Sequence, residues 1–242
     1  MPHTISSFVR SAVGLFLAGS MGCASNDLLL PDPPDGGTVA MTKFGGDAQE
    51  GTVGETLDAP LVVQVLSERQ QPAPDRKVVF LPTPEDPSAG TVAPDTALTG
   101  PDGKATAQWT LGTVPGDHIV VAKLVENEAQ VAEFRADAKA AAPDTLRAAS
   151  PTAQPGRLGR EVGTPPVVRV VDRYGNAVEG ASVAWQVTSG QGTVDQAVVQ
   201  TDATGQATTG WTLGNRIGIH KLTATIGGVR GSPVTFTATV LF

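Results

Sequence analysis

Cysteine occurs once in the 242 residues, at position 23, so the chain can form no internal disulfide and no multi-cysteine zinc site. Aromatic residues make up 5%, with a single tyrosine, and charged residues 17%, while hydrophobic residues reach 40%. That balance is too apolar for a disordered chain, and it leaves a core to be built mainly from Val, Ala and Leu. The net charge is −7, with no basic cluster, which excludes a nucleic-acid partner because phosphate neutralisation needs dense Lys and Arg. No P-loop, dinucleotide fingerprint or nucleophile elbow is present: Gly190-Gln191-Gly192 has no helix after it, and Ser189 sits in a glycine-rich connection. These absences argue against an enzyme and call for no cofactor and no metal.

The chain begins with a short polar start containing Arg10, then an apolar stretch from Ala12, then small residues. Residues 1–22 read as an export signal, the run being too short for a permanent membrane span. Ser20-Met21-Gly22-Cys23 resembles the lipobox of bacterial lipoproteins, which implies cleavage before Cys23, a lipid (palmitate) anchor on it and, with Ala24 following, an outer-membrane destination. Ser20 and Gly22 also satisfy an ordinary small-x-small secretory cleavage, leaving a secreted or periplasmic product as the alternative. Residues 23–37, rich in Pro, Asp and Gly, read as the anchored end and a semi-extended tether.

The rest of the chain repeats itself. Thr99–Gly112 recurs as Thr201–Gly214, and an offset of 102 continues through Gly116/Gly218, His118/His220 and Ala122/Ala224. Upstream the offset is 105, pairing Gly51 with Gly156, Gly54 with Gly159, Val63 with Val168 and Phe80 with Trp185. The difference falls in a proline-rich connection after Phe80, where an insertion costs little. Two modules follow, residues 38–138 and 144–242, joined by a linker over 139–143 that is too short for free tumbling.

Within each module the hydrophobic period is two, in Val/Thr/Ala-rich runs bounded by Gly, Asn, Asp and Pro. Alternation puts Ala207, Thr209, Trp211 and Leu213 on an inward face, with Trp109 at the same core position in the first copy. The expected fold is all-β: two tandem antiparallel immunoglobulin-like β-sandwiches. Asp172–Trp185 (D-R-Y-G-N-A-V-E-G-A-S-V-A-W), then G-Q-G-T-V, T-D-A-T-G-Q-A and V-T-F-T-A-T-V, closely resemble bacterial immunoglobulin-like domains of group 1, the repeat modules of invasin- and intimin-type surface proteins. The resemblance implies an envelope or surface role as spacer, stalk or adhesion module. The first copy departs from it at Ser67, Gln70-Gln71 and Asp75, where the second has Asp172, Gly175-Asn176 and Gly180; its Q-Q-P-A-P-D connection is expected to turn by another route.

Candidate site residues are few. Tyr174, the one tyrosine, and Asn176 lie in a turn expected at the tip of the second domain, where a protein, glycan or envelope ligand could meet them; an accessory-subunit role in an envelope complex is a further alternative. His118 and His220 occupy equivalent positions with no second His or Cys clustered nearby, which favours duplicated structural histidines. Asp102, Asp172 and Asp202 lie at turns without the dense acidic spacing of a calcium loop, so Asx-turns are expected.

Overall fold

The computed structural model describes residues 38–83 and 89–241; the signal segment, Cys23, the tether and the tip of the insertion at Glu85-Asp86 lie outside the described residues. The first domain contains β1 (Val39–Gly45), β2 (Gln49–Thr52), β3 (Leu61–Ser67), β4 (Lys77–Pro82), β5 (Thr91–Ala93), β6 (Thr96–Leu98), β7 (Lys104–Thr110), β8 (Gly116–Leu124) and β9 (Asn127–Lys139). The second contains β10 (Thr145–Ala148), β11 (Ala153–Gly156), β12 (Val167–Val171), β13 (Ser182–Ser189), β14 (Thr193–Val194), β15 (Val198–Gln200), β16 (Gln206–Thr208), β17 (Trp211–Thr212), β18 (Gly218–Thr225) and β19 (Val234–Val240).

The sheets repeat as the sequence does. In the first domain, β1-β3-β7-β5 faces β2-β9-β8-β4-β6. In the second, β10-β12-β16 and β17-β14 take the place of the former, and β11-β19-β18-β13-β15 that of the latter. The single strand β7 becomes two because Gly210 stands where the first copy has Gln108, and the Asp195 carboxylate occupies the space that a side chain there would fill.

Not every pairing is antiparallel. β2 runs parallel to β9 (Gln49↔Ala136) and β11 parallel to β19 (Ala153↔Thr237). After β1 or β10 pairs in one sheet, the chain crosses to the other and lies alongside the last strand in the same direction, which protects that strand's edge.

Alternation along the strands builds two separate cores. Leu61, Val63, Val65, Phe80, Trp109, Val120 and Phe134 are buried in the first, and Val168, Val170, Trp185, Trp211, Leu222 and Phe236 in the second. The expected inward face of Ala207, Thr209, Trp211 and Leu213 is buried, as is Trp109. In the first domain the Trp109 indole also donates to the Ala89 carbonyl at 2.7 Å.

The two copies turn alike between β3 and β4 and between β12 and β13, contrary to the expectation from their residues. Gln70 and Asp75 take positive φ values of 59° and 57°, where Gly175 and Gly180 have 89° and 73°. The hydrogen bonds also correspond: Ser67 N to Gln71 O (2.9 Å) matches Asp172 N to Asn176 O (2.9 Å), and Asp75 N to Thr99 O (2.9 Å) matches Gly180 N to Thr201 O (2.9 Å). The buried hydroxyls of Thr99 and Thr201 each donate to a carbonyl across the turn, Ala73 O and Val178 O, both at 2.6 Å. Tertiary hydrogen bonding thus holds Gln70 and Asp75 in a backbone region that costs a non-glycine residue about 1–2 kcal/mol. Gln70→Gly should raise the stability of the first domain by about 0.5 kcal/mol after the added freedom of the unfolded chain is subtracted, and Gly175→Ala should lower that of the second by about 1 kcal/mol. Thermal unfolding of the two variants checks both signs.

Candidate functional site at the domain junction

The β12–β13 turn, expected at a free tip, faces the first domain instead, because β12 ends beside the incoming linker. Asp172 starts the turn and is only 2% exposed. Its Oδ1 accepts from the backbone N–H groups of Tyr174 (2.8 Å) and Asn176 (2.9 Å). Its Oδ2 accepts from the Asn176 side-chain amide (2.9 Å) and from the backbone N–H of Ala141 in the linker (3.0 Å). One carboxylate therefore closes the turn and ties it to the chain entering the domain.

Asn176 extends the connection: its amide also donates to the Thr113 carbonyl of the first domain at 2.8 Å. The Tyr174 hydroxyl lies against Gly54, so close that a Cβ at that position would overlap it. The Arg173 guanidinium stacks over the tyrosine ring, 4.8 Å from its centroid. The linker is shared between the two cores, Ala141 packing in the first and Ala140 against the second. Tyr174 and Asn176, the sequence-derived ligand candidates, are thus brought together as junction residues. Gly54, Thr113 and Ala141, their partners, carried no signal in the sequence beyond the matched Gly54/Gly159 pair.

The other candidates have local structural partners. His118 and His220 are both 1% exposed, with Nε2 2.8 Å from the Val114 and Arg216 carbonyls respectively. A carbonyl only accepts, so Nε2 carries the proton in each, and each ring staples the loop that precedes its strand. Asp102 Oδ1 accepts from Lys104 N (3.1 Å), and Asp202 Oδ1 from Thr204 N (2.8 Å) and Gln206 N (3.0 Å), which are Asx-turns. Among the described residues no three His, Cys, Asp or Glu side chains converge as a metal site.

Burial alone would raise the Asp172 pKa; the hydrogen bonds from Asn176, Ala141 and Tyr174 outweigh it and hold the group below the ordinary value of 3.8. The folded state therefore takes up this proton less readily than the unfolded chain. The resulting stability is fully present above 3.8 and is lost as pH falls through the lowered value. Asp172→Asn should reduce this acid-side loss and cost about 1–3 kcal/mol at neutral pH by turning an amide donor toward existing donors, as read from urea unfolding across the acid range. Gly54→Ala should displace Tyr174 and widen the spread of interdomain angles seen by small-angle scattering. Gly159→Ala, with positive φ at the equivalent position of the second domain but no tyrosine against it, should leave that spread unchanged.

Residues 166–239 match the family model of the bacterial Ig-like domain (group 1). The chain matches no curated protein. Among solved structures, the Escherichia coli adhesin FdeC aligns with a TM-score of 0.57 at 21% identity, over 86% of this chain and 65% of its own. InvD of Yersinia pseudotuberculosis aligns with a TM-score of 0.49 at 17% identity, over 84% of this chain and 57% of its own. This chain thus spans just under two thirds of the FdeC chain, and the likeness to FdeC is one of fold. From its strand order, its turn residues and the match over 166–239, the second domain belongs to the bacterial Ig-like domain family, group 1.

Proposed function

We propose that the chain is a lipid-anchored, surface-exposed spacer of the bacterial envelope, a non-catalytic stalk that holds its second domain at a set distance and angle from the anchor. The observation that carries this reading is the junction. A spacer needs its modules coupled, and the Asp172–Ala141 and Asn176–Thr113 hydrogen bonds couple them, each joining a side chain of the second domain's turn to a backbone group of the linker or of the first domain. The fold shared with an E. coli adhesin supports a role in adhesion or presentation.

The anchor in this proposal is Cys23, the one cysteine, placed directly behind an apolar run and small residues. The alternative, ligand binding through the second-domain loop of Tyr174 and Asn176, is weakened because both are engaged with the first domain. Protein partners would more readily use exposed sheet edges such as β15, which offer main-chain pairing. Cells fed labelled palmitate should incorporate label into the wild-type chain and not into Cys23→Ala; label in both, or in neither, refutes the anchor.

A further inference from the structure

The two domains differ at one end in both charge and hydrophobicity. The first domain carries Thr52, Val53, Glu55, Val114, Pro115 and Asp117 at the end that receives the second. At the corresponding positions the second has Arg157, Leu158, Arg160, Arg216, Ile217 and Ile219. In the first domain Val53 is buried and Val114 is 50% exposed; in the second Leu158, Ile217 and Ile219 are 44%, 54% and 58% exposed. All three arginines are exposed as well.

The backbone holds these residues together. Arg160 N bonds to Arg157 O at 3.2 Å, closing the turn, and Leu213 N bonds to Arg160 O at 3.0 Å, setting that turn against the β17–β18 connection. The buried His220 ring fixes the other side through the Arg216 carbonyl. The ion pairs among the described residues involve other side chains, and none of the three guanidinium groups has a hydrogen-bonded partner there. The adjacent acid, Glu161, lies beside Gly210 with Asp195.

Charge separates the domains too. Residues 38–138 hold seven Lys/Arg against fifteen Asp/Glu, a net −8, whereas residues 144–242 hold eight against six, a net +2. An anionic surface therefore repels the first domain and attracts the second, and it attracts most strongly at the arginine-bearing end. Single exposed aliphatic residues need no explanation, but three of them beside three unpaired arginines, at an end where the compared positions of the other copy expose one large aliphatic, Val114, form an amphipathic patch. Guanidinium groups suit headgroup phosphates and aliphatic tips suit the acyl boundary below them, so a lipid surface satisfies both halves of the patch at once.

We propose that this end of the second domain docks on an anionic lipid bilayer. The test uses the full chain with Cys23→Ala in every sample, which removes any covalent lipid and leaves the leader as a constant background. Co-sedimentation is measured with vesicles of phosphatidylglycerol and phosphatidylcholine and with vesicles of phosphatidylcholine alone. Partitioning should favour the anionic vesicles and weaken at high salt. It should fall about 5-fold for each arginine removed, on the order of 100-fold for Arg157→Gln/Arg160→Gln/Arg216→Gln together. Leu158→Ser/Ile217→Ser should weaken it as well, and tryptophan fluorescence should show all variants folded. Equal partitioning of wild type and the triple-arginine variant would overturn the proposal. So would vesicle binding by Leu158→Ser/Ile217→Ser at the wild-type level together with competition by soluble polyglutamate, an outcome that points to an acidic macromolecule instead.

Discussion

The Asp172 carboxylate is the constraint on which the arrangement of the two domains depends. A carboxylate this buried must have its oxygens satisfied, and here four N–H groups do so. Three come from its own turn, and the fourth, from Ala141, belongs to the linker. The same bonds that hold the charge also fix the direction in which the second domain leaves the first. Ser67, at the equivalent place in the first copy, offers a single hydroxyl whose contact with Gln71 N is long, 3.4 Å. It closes a turn and ties nothing else.

Duplication explains what the copies share. Trp109 and Trp211 centre the two cores, Thr99 and Thr201 bridge the same turn, and His118 and His220 staple the same loop through carbonyl contacts of identical length, 2.8 Å. These are requirements of the sandwich itself, since a buried hydroxyl or imidazole left without a partner would destabilise either copy. The copies diverge where the sandwich imposes no requirement, at their ends. One end of the first domain accepts a neighbour through Gly54 and Thr113, while the equivalent end of the second carries arginines and exposed aliphatics.

Much of the fold is legible in the sequence. A period of two in Val- and Thr-rich runs marked the strands, and matched aromatics marked the cores, because each signal is local or repeats at a constant offset. The turn at Gln70–Asp75 was misread for a related reason. Glycine advertises positive φ, but Gln70 and Asp75 reach it only because bonds to Gln71, Thr99 and Ala73 hold the loop, and a residue's own preference does not record them.

The sequence by itself determined an all-β chain of two related modules, their inward faces and the family of the second, since strand alternation and turn chemistry are written in neighbouring residues. Only the tertiary structure decided that β2 and β11 pair in parallel with the last strands and that Tyr174 and Asn176 serve the junction. It alone also brought Arg157, Arg160 and Arg216 to one end. Each of these outcomes joins groups that are distant along the chain: strand pairing does so within a domain, and the docking of the two domains beside the linker does so for Asn176 and Thr113.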